Sequence, residues 1–261
     1  MKIYVLTHKK FDYDGNPLYE PLLNGSALLD EDFGYTRDDT GDNISKLNTY
    51  YAELTGQYWA WKNSNEEIIG FCHYRRYFVK GISLKKIEKE DVLKWLGDYD
   101  IILPQKKHTS YSNLDEIKFA SLEGNTCEKV EDYTLLREIV EEKSPEYLDS
   151  YDGVLNDNEI HYFNMFISKK QLADDYFRWV FDILDEFKNR NDFSDYEEGN
   201  MRALGYLSER LLNVYVRHHN LKVKEQYVIN YDAVFPPLII VENKSPLIQK
   251  LVQFLLKFKN R

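Results

Sequence analysis

Residues 68–78 read IIGFCHYRRYF, and the kind of element that ends inside this stretch decides the fold. Its first residues have the apolar, β-branched and aromatic composition of a buried strand. The strand then runs straight into His73, Tyr74, Arg75, Arg76 and Tyr77. Just upstream, LNTYYAELTGQYWAWKN (47–63) places Leu47, Tyr51, Leu54, Tyr58 and Trp61 at spacings of four, three, four and three, one apolar face of a helix closed by Asn63 and Asn65. A helix feeding a buried strand is the building unit of an α/β domain. In open α/β sheets ligands sit beyond the carboxyl ends of strands, which is where this arginine cluster falls.

The alternation continues in both directions. KIYVLT (2–7) is a strand that breaks into the polar loop HKKFDYDGNP. SLKKIEKEDVLKWLGD reads as an amphipathic helix starting near Ser83, and YDIILPQ as a short strand halted by Pro104. Residues 105 to about 160 are polar, with a helix at EDYTLLREIVEEK and another started by Pro145. HYFNMFIS (161–168) reads as a strand. QLADDYFRWVFDILDEFKNR follows as a helix with Tyr176, Val180, Ile183, Leu184 and Phe187 on one face, and ALGYLSERLLNVYVRHH as a further helix. No repeat, low-complexity stretch or long linker divides the chain. The expectation is one domain over 1–242 and a tail over 243–261.

Composition narrows the function. The 34 Lys and Arg against 44 Asp and Glu, a net charge of −10, argue against a nucleic acid partner. Cys72 and Cys127 make no disulfide framework and no zinc-ligand cluster. The opening apolar run is too short for a signal peptide, and no stretch of 18 apolar residues would cross a bilayer; a reducing cytoplasm is expected. Twenty-one tyrosines and four tryptophans fill the core for the most part, and the remainder suit sugars or bases. The tail has no acid: Lys244, Lys250, Lys257, Lys259 and Arg261 give it +5, so the rest of the chain carries −15. With Leu247, Leu251, Phe254, Leu255 and Phe258 forming a stripe, it reads either as a basic amphipathic helix lying on an anionic membrane surface or as a terminal helix docked on the domain.

An arginine pair at a strand end is commonly a solvated edge or a partner for nearby acids. It also suits a diphosphate leaving group, because guanidinium is a planar fork of donors that stays charged. THKK and HYRR both fall at strand ends and are expected to flank one site.

The blocks DNISKLNTYYAELTGQYWAWKN, IIGFCHYRRYF, YDIILP, FNMFIS and GYLSERLLNVY, in this order, resemble the DUF4422 family of bacterial surface-polysaccharide proteins, which includes galactofuranosyltransferases. The resemblance runs from YVLTHKK to about residue 225. It implies a glycosyltransferase with a GT-A-like nucleotide-sugar-binding α/β domain: a mostly parallel central sheet with flanking helices. Many GT-A enzymes end the corresponding strand in a DxD pair that holds a metal ion on the diphosphate; here the similar position reads His73, Tyr74, Arg75. The expectation is therefore no metal or other cofactor, with His73, Arg75 and Arg76 cradling the diphosphate and His8 and Lys9 joining from the first strand's end. His73 has a plainer reading as a core histidine bonded to backbone. Asp98-Tyr99-Asp100 spells DxD but precedes its strand, and is set aside.

Asp42 and Asn43 are candidates for uracil or ribose, or simple helix caps; Asn164 and Arg202 complete the donor-binding set. Glu209, with Arg202 and Arg210 nearby to keep it ionised, is the candidate catalytic base, unless it is a helix-surface ion pair. Asp39 is the reserve. The segment ASLEGNTCEKVEDYTLL (120–136) departs from the family pattern, which bears on acceptor recognition more than on donor chemistry. The reading that results is an inverting transfer of galactofuranose from UDP-galactofuranose to an undecaprenyl-diphosphate-linked glycan acceptor at the inner face of the cell membrane. Transfer of another hexose such as galactopyranose, and a non-catalytic glycan- or nucleotide-binding protein on the same fold, remain alternatives.

Overall fold

The computed structural model describes residues 1–81, 84–123, 128–196 and 201–231; the tail 243–261 lies outside them. In chain order the elements are β1 (Lys2–Thr7), β2 (Tyr19–Leu23), β3 (Thr36–Arg37), α1 (Asn48–Tyr51), α2 (Leu54–Asn63), β4 (Ile68–His73), β5 (Arg76–Val79) and α3 (Lys89–Asp98). There follow β6 (Ile101–Pro104), β7 (Lys107–His108), α4 (Asn113–Leu122), α5 (Val130–Lys143), α6 (Leu148–Asn156), β8 (Glu159–Ile160), β9 (Ile167–Lys169), α7 (Lys170–Arg190), α8 (Ala203–His218) and β10 (Val223–Asn230).

Among the described residues the main sheet has eight strands in the order β3-β2-β1-β4-β5-β10-β6-β9, with β9 also pairing the first half of β4. The α/β class holds, but the sheet is mixed rather than mostly parallel. Pairings of β1 with β2 and β4, of β2 with β3 and of β6 with β10 are parallel. Those of β5 with β4 and β10, and of β9 with β4 and β6, are antiparallel. The cause is local. His73 pairs directly with Arg76, so Tyr74 and Arg75 form a two-residue hairpin that turns the chain back on itself where an α/β crossover would have left the sheet.

Strand alternation explains the two cores. On β1, Tyr4 and Leu6 face one side with Phe71, Leu103 and the apolar faces of α5 to α8, while Ile3 and Val5 face the other with Cys72, Ile102 and α3. All five residues foreseen on the face of α7 are buried. Three segments depart from their sequence reading. The long helix over 47–63 is broken at Ala52, which takes φ +49°; Asn48 Nδ2 holds the break by donating to Ala52 O (2.7 Å) and Thr55 Oγ1 (3.0 Å). The helix expected from Ser83 begins at Lys89, because Lys86 bridges Val79 and Ile87 N–H bonds Phe78 O, keeping that stretch extended beside β5. A capping box between Glu88 and Asp91 then starts the helix. The strand over 161–168 is reduced to Ile167–Lys169, since Phe163 and Asn164 have φ of +83° and +50°.

β9 lies close on β4 because Gly70 faces Ile167: a Cβ there would meet Ile167 Cγ1 at 2.6 Å. We expect Gly70→Val to cost about 1–3 kcal/mol through overpacking, read as a lower urea midpoint with an unchanged m-value. An unshifted midpoint would mean that the two strands part without loss.

Candidate functional site

At the carboxyl ends of β1 and β4 lies a cavity of about 640 Å³, within the range of small-molecule sites. β1 brings Leu6, Thr7 and His8, and the β4–β5 hairpin brings His73 to Arg76. The broken helix turns Glu53 inward just before α2. The far wall is Tyr162 and Phe163, and the start of α8 supplies Arg202, Tyr206 and Glu209, with Glu128 completing the rim. Of the residues expected from sequence, the fold thus gathers His8, His73, Arg75, Arg76, Arg202 and Glu209 around one space.

The others lie elsewhere. Lys9 stands at the edge, its Nζ 5.0 Å from the Tyr74 ring centre. Asp42 accepts from Tyr58 Oη (3.1 Å), and Asn43 donates to Gly41 O (3.0 Å) while its Oδ1 accepts from Ser45 N (3.2 Å). Neither lines the cavity, and Asn43 behaves as a local turn cap. Asp39 is clasped by Arg37, through Nε (3.2 Å) and Nη2 (2.9 Å), which holds its carboxyl below the usual range and makes it a weak proton acceptor. Asn164 is buried and does not line the cavity, and both ends of its carboxamide are engaged: Nδ2 donates to Glu53 Oε1 (2.9 Å) and Gly205 O (2.8 Å), and Oδ1 accepts from Ser208 Oγ (2.9 Å). Asp98 and Asp100 do not reach the cavity; Asp100 Oδ2 accepts from Lys222 N instead (2.8 Å).

Glu209 departs from its expected state. It is no surface ion pair: its side chain is 13% exposed, and Oε1 accepts the Phe163 N–H (3.0 Å). Nor do arginines keep it ionised. Burial pushes its carboxyl up to about 8; Arg210 pulls the other way, and Glu53 and Glu128 add to the rise. Arg210 is shared, standing 3.4 Å from Glu209 Oε2 and 3.3 Å from Glu128 Oε1, which blunts its hold on either. His73 and His8 are lowered by burial and by the neighbouring arginines, so both rings are neutral near pH 7. His73 Nε2 lies 2.7 Å from Phe163 O, the backbone bond of its plainer reading, and the side chain faces the cavity as well.

Arg76 is the informative cation. Its guanidinium lies 4.6 Å over the Phe163 ring; Nε is buried with no hydrogen-bond partner, and the group makes no ion pair among the described residues. Burial, then Arg75, lowers its pKa. A cation this poorly compensated is costly until an anion arrives. Among the described residues no group of three His, Cys, Asp or Glu side chains is placed to hold a metal ion.

Sequence reasoning missed Glu53, Glu128, Tyr162 and Phe163. Glu53 sits in an apparently continuous helix, and nothing in its neighbours signals the break at Ala52. Glu128 lies in the segment singled out as departing from the family pattern, the one available signal.

A family described as "Domain of unknown function (DUF4422)" matches residues 2–220. No curated protein matches the chain. Among solved structures, the apo structure of the WbbM bifunctional glycosyltransferase is similar, with a TM-score of 0.79 and 29% identity over 88% of this chain. The match covers 45% of that protein, so this chain spans under half its length.

The raised carboxyl has a consequence for stability. Folding binds a proton to Glu209 that the unfolded chain releases near its ordinary value of 4.5. The stabilisation is therefore complete below that value and is lost as pH rises toward about 8. Glu209→Gln, a permanently neutral side chain, should gain on the wild type across this window by up to about 1.4 kcal/mol per pH unit, then hold level. Urea unfolding at unit steps of pH measures the gap; a gap independent of pH would place the titration elsewhere.

Proposed function

The chain belongs to the DUF4422 family, and from that premise we propose that it is a glycosyltransferase whose cavity binds the diphosphate of a UDP-sugar through Arg75, Arg76 and Arg202. The observation that carries this reading is the half-buried Arg76 with its unpartnered Nε. A diphosphate supplies both the hydrogen-bond acceptor and the countercharge that the folded protein withholds. With Glu209 protonated at neutral pH, three guanidinium groups outweigh the remaining carboxyl side chains Glu53 and Glu128 of the lining.

In this reading fixed cations at the end of β4 do the work a divalent ion does in many transferases. The acceptor hydroxyl attacks the anomeric carbon, Glu209 in its ionised form takes the hydroxyl proton, and the carbon–oxygen bond to UDP breaks with its electron pair remaining on the diphosphate. A single displacement inverts the anomeric centre. A base with a pKa of about 8 is poised close to working pH. The specific reading is galactofuranose transferred from UDP-galactofuranose to an undecaprenyl-diphosphate-linked glycan of a surface polysaccharide. The basic, apolar-striped segment 243–261 supports work at a membrane-borne acceptor on the inner membrane face.

Two outcomes test this. UDP should raise the Tm without added divalent metal, and Arg76→Gln should weaken UDP binding by roughly 10- to 100-fold through loss of charge-assisted bonds worth about 1.5–3 kcal/mol; a shift that needs manganese would overturn the role given to the arginines. In a screen of UDP-sugars with a lipid-linked acceptor, UDP-galactofuranose should be the preferred donor. Glu209→Gln should then lower kcat roughly 100- to 10,000-fold with the UDP-induced Tm shift intact. Unchanged turnover in that variant reassigns the base.

A further inference from the structure

A second cavity, of about 410 Å³, opens beyond the carboxyl end of β6, bounded by Pro104 to Lys107, by Val228 of β10 and by Tyr162 and Phe163. The last two residues also line the first cavity. One turn of backbone is therefore the partition between two spaces. We propose that the second cavity binds a neutral terminal sugar of the acceptor, packed on Tyr162, and presents its hydroxyl across the partition to Glu209. This inference rests on reading the first cavity as the donor site.

Three observations carry it. The first is adjacency: a transfer between two substrates requires both to reach one carbon atom, with near-attack separations of about 3–3.5 Å, so an acceptor site must adjoin the donor site, as this cavity does at Tyr162 and Phe163. The carboxylate that would accept the proton holds that wall, through the Phe163 N–H.

The second is the lining. Tyr162 presents an aromatic ring whose hydroxyl has no hydrogen-bond partner among the described residues, a surface suited to the C–H face and hydroxyls of a sugar. The ring is held by Arg210, 5.2 Å from its centre, with Lys107 Nζ at 5.9 Å. The side-chain amide of Gln105 and the ammonium of Lys107 likewise make no side-chain hydrogen bond or ion pair among the described residues, leaving donors and an acceptor for hydroxyl groups.

The third is charge. Lys106 is already matched with Glu159 at 3.7 Å and is close enough to Glu225 to oppose the burial that raises that carboxyl. Of the two lysines lining the second cavity only Lys107 is left without an acid partner among the described residues, whereas the first cavity holds three arginines. The contrast sorts the substrates: an anionic nucleotide in the first, an uncharged glycan end in the second.

The test uses the full chain, with and without UDP, titrated by saturation-transfer NMR with the methyl β-glycosides of galactose, glucose and N-acetylglucosamine, and with methyl phosphate as the anionic probe. At least one glycoside should bind. Gln105→Ala and Lys107→Ala should each weaken it by roughly 3- to 10-fold while UDP affinity stays within about twofold of wild type, the size expected for loss of one hydrogen bond. Glycoside binding unaltered in both variants, no glycoside binding to UDP-loaded protein, or methyl phosphate being the probe the variants lose would each overturn the proposal and leave the donor reading standing. Failure of UDP itself to bind would strike the donor reading, with the glycoside titration in its absence still deciding the second cavity.

Discussion

The site depends on one strained turn. Phe163 and Asn164 are consecutive non-glycine residues with left-handed backbone, a conformation that costs about 1–3 kcal/mol each and persists only where surrounding bonds over-determine it. Here they do. Glu209 of α8 accepts the Phe163 N–H, His73 of β4 meets the Phe163 carbonyl, and Gln57 of α2 donates to the Asn164 carbonyl (2.7 Å). The Asn164 side chain then ties Glu53 to Ser208 and to the Gly205 carbonyl. Two helices and a strand converge on two residues, and the carboxyl groups of Glu53 and Glu209 are positioned as a by-product of holding them. The same turn sets the ring of Phe163 under Arg76 and divides the two cavities.

Charge in this protein is organised against its average. A chain of net charge −10 gathers three arginines in the cavity at the carboxyl ends of β1 and β4, while much of its acid is spent in surface pairs such as Arg137 with Asp152 and Lys80 with Glu88, which stabilise little. Burial does the selective work. It keeps His73 and His8 neutral, raises Glu209 and leaves Arg76 short of partners, so the interior of the cavity differs from the surface in sign.

Legibility followed how local the determinants were. The strands at 2–7 and 101–104 and the helices at 130–143, 170–190 and 203–218 were readable because apolar period and chain punctuation specify them within their own residues. β2, β5 and β10 were not: β2 holds Pro21, β10 alternates weakly, and each exists because a neighbouring strand offers it a ladder. Among candidate residues, the HYRR hairpin was readable as a basic cluster at a strand end. Asp42 and Asn43 misled because turn caps and ligand-binding residues use the same side chains.

The sequence by itself determined the α/β alternation, the family, and the presence of His73, Arg75 and Arg76 where a strand stops. Only the tertiary structure decided that the sheet is mixed, that the helix before β4 breaks at Ala52 beside Glu53, and that Glu209 is buried with its carboxyl pushed upward. The physical reason is range. Periodicity and capping act over a few residues, whereas the 163–164 turn and the desolvation of Glu209 arise from contacts between segments about 40 to 110 residues apart, such as Phe163 with Glu209 and Asn164 with Glu53.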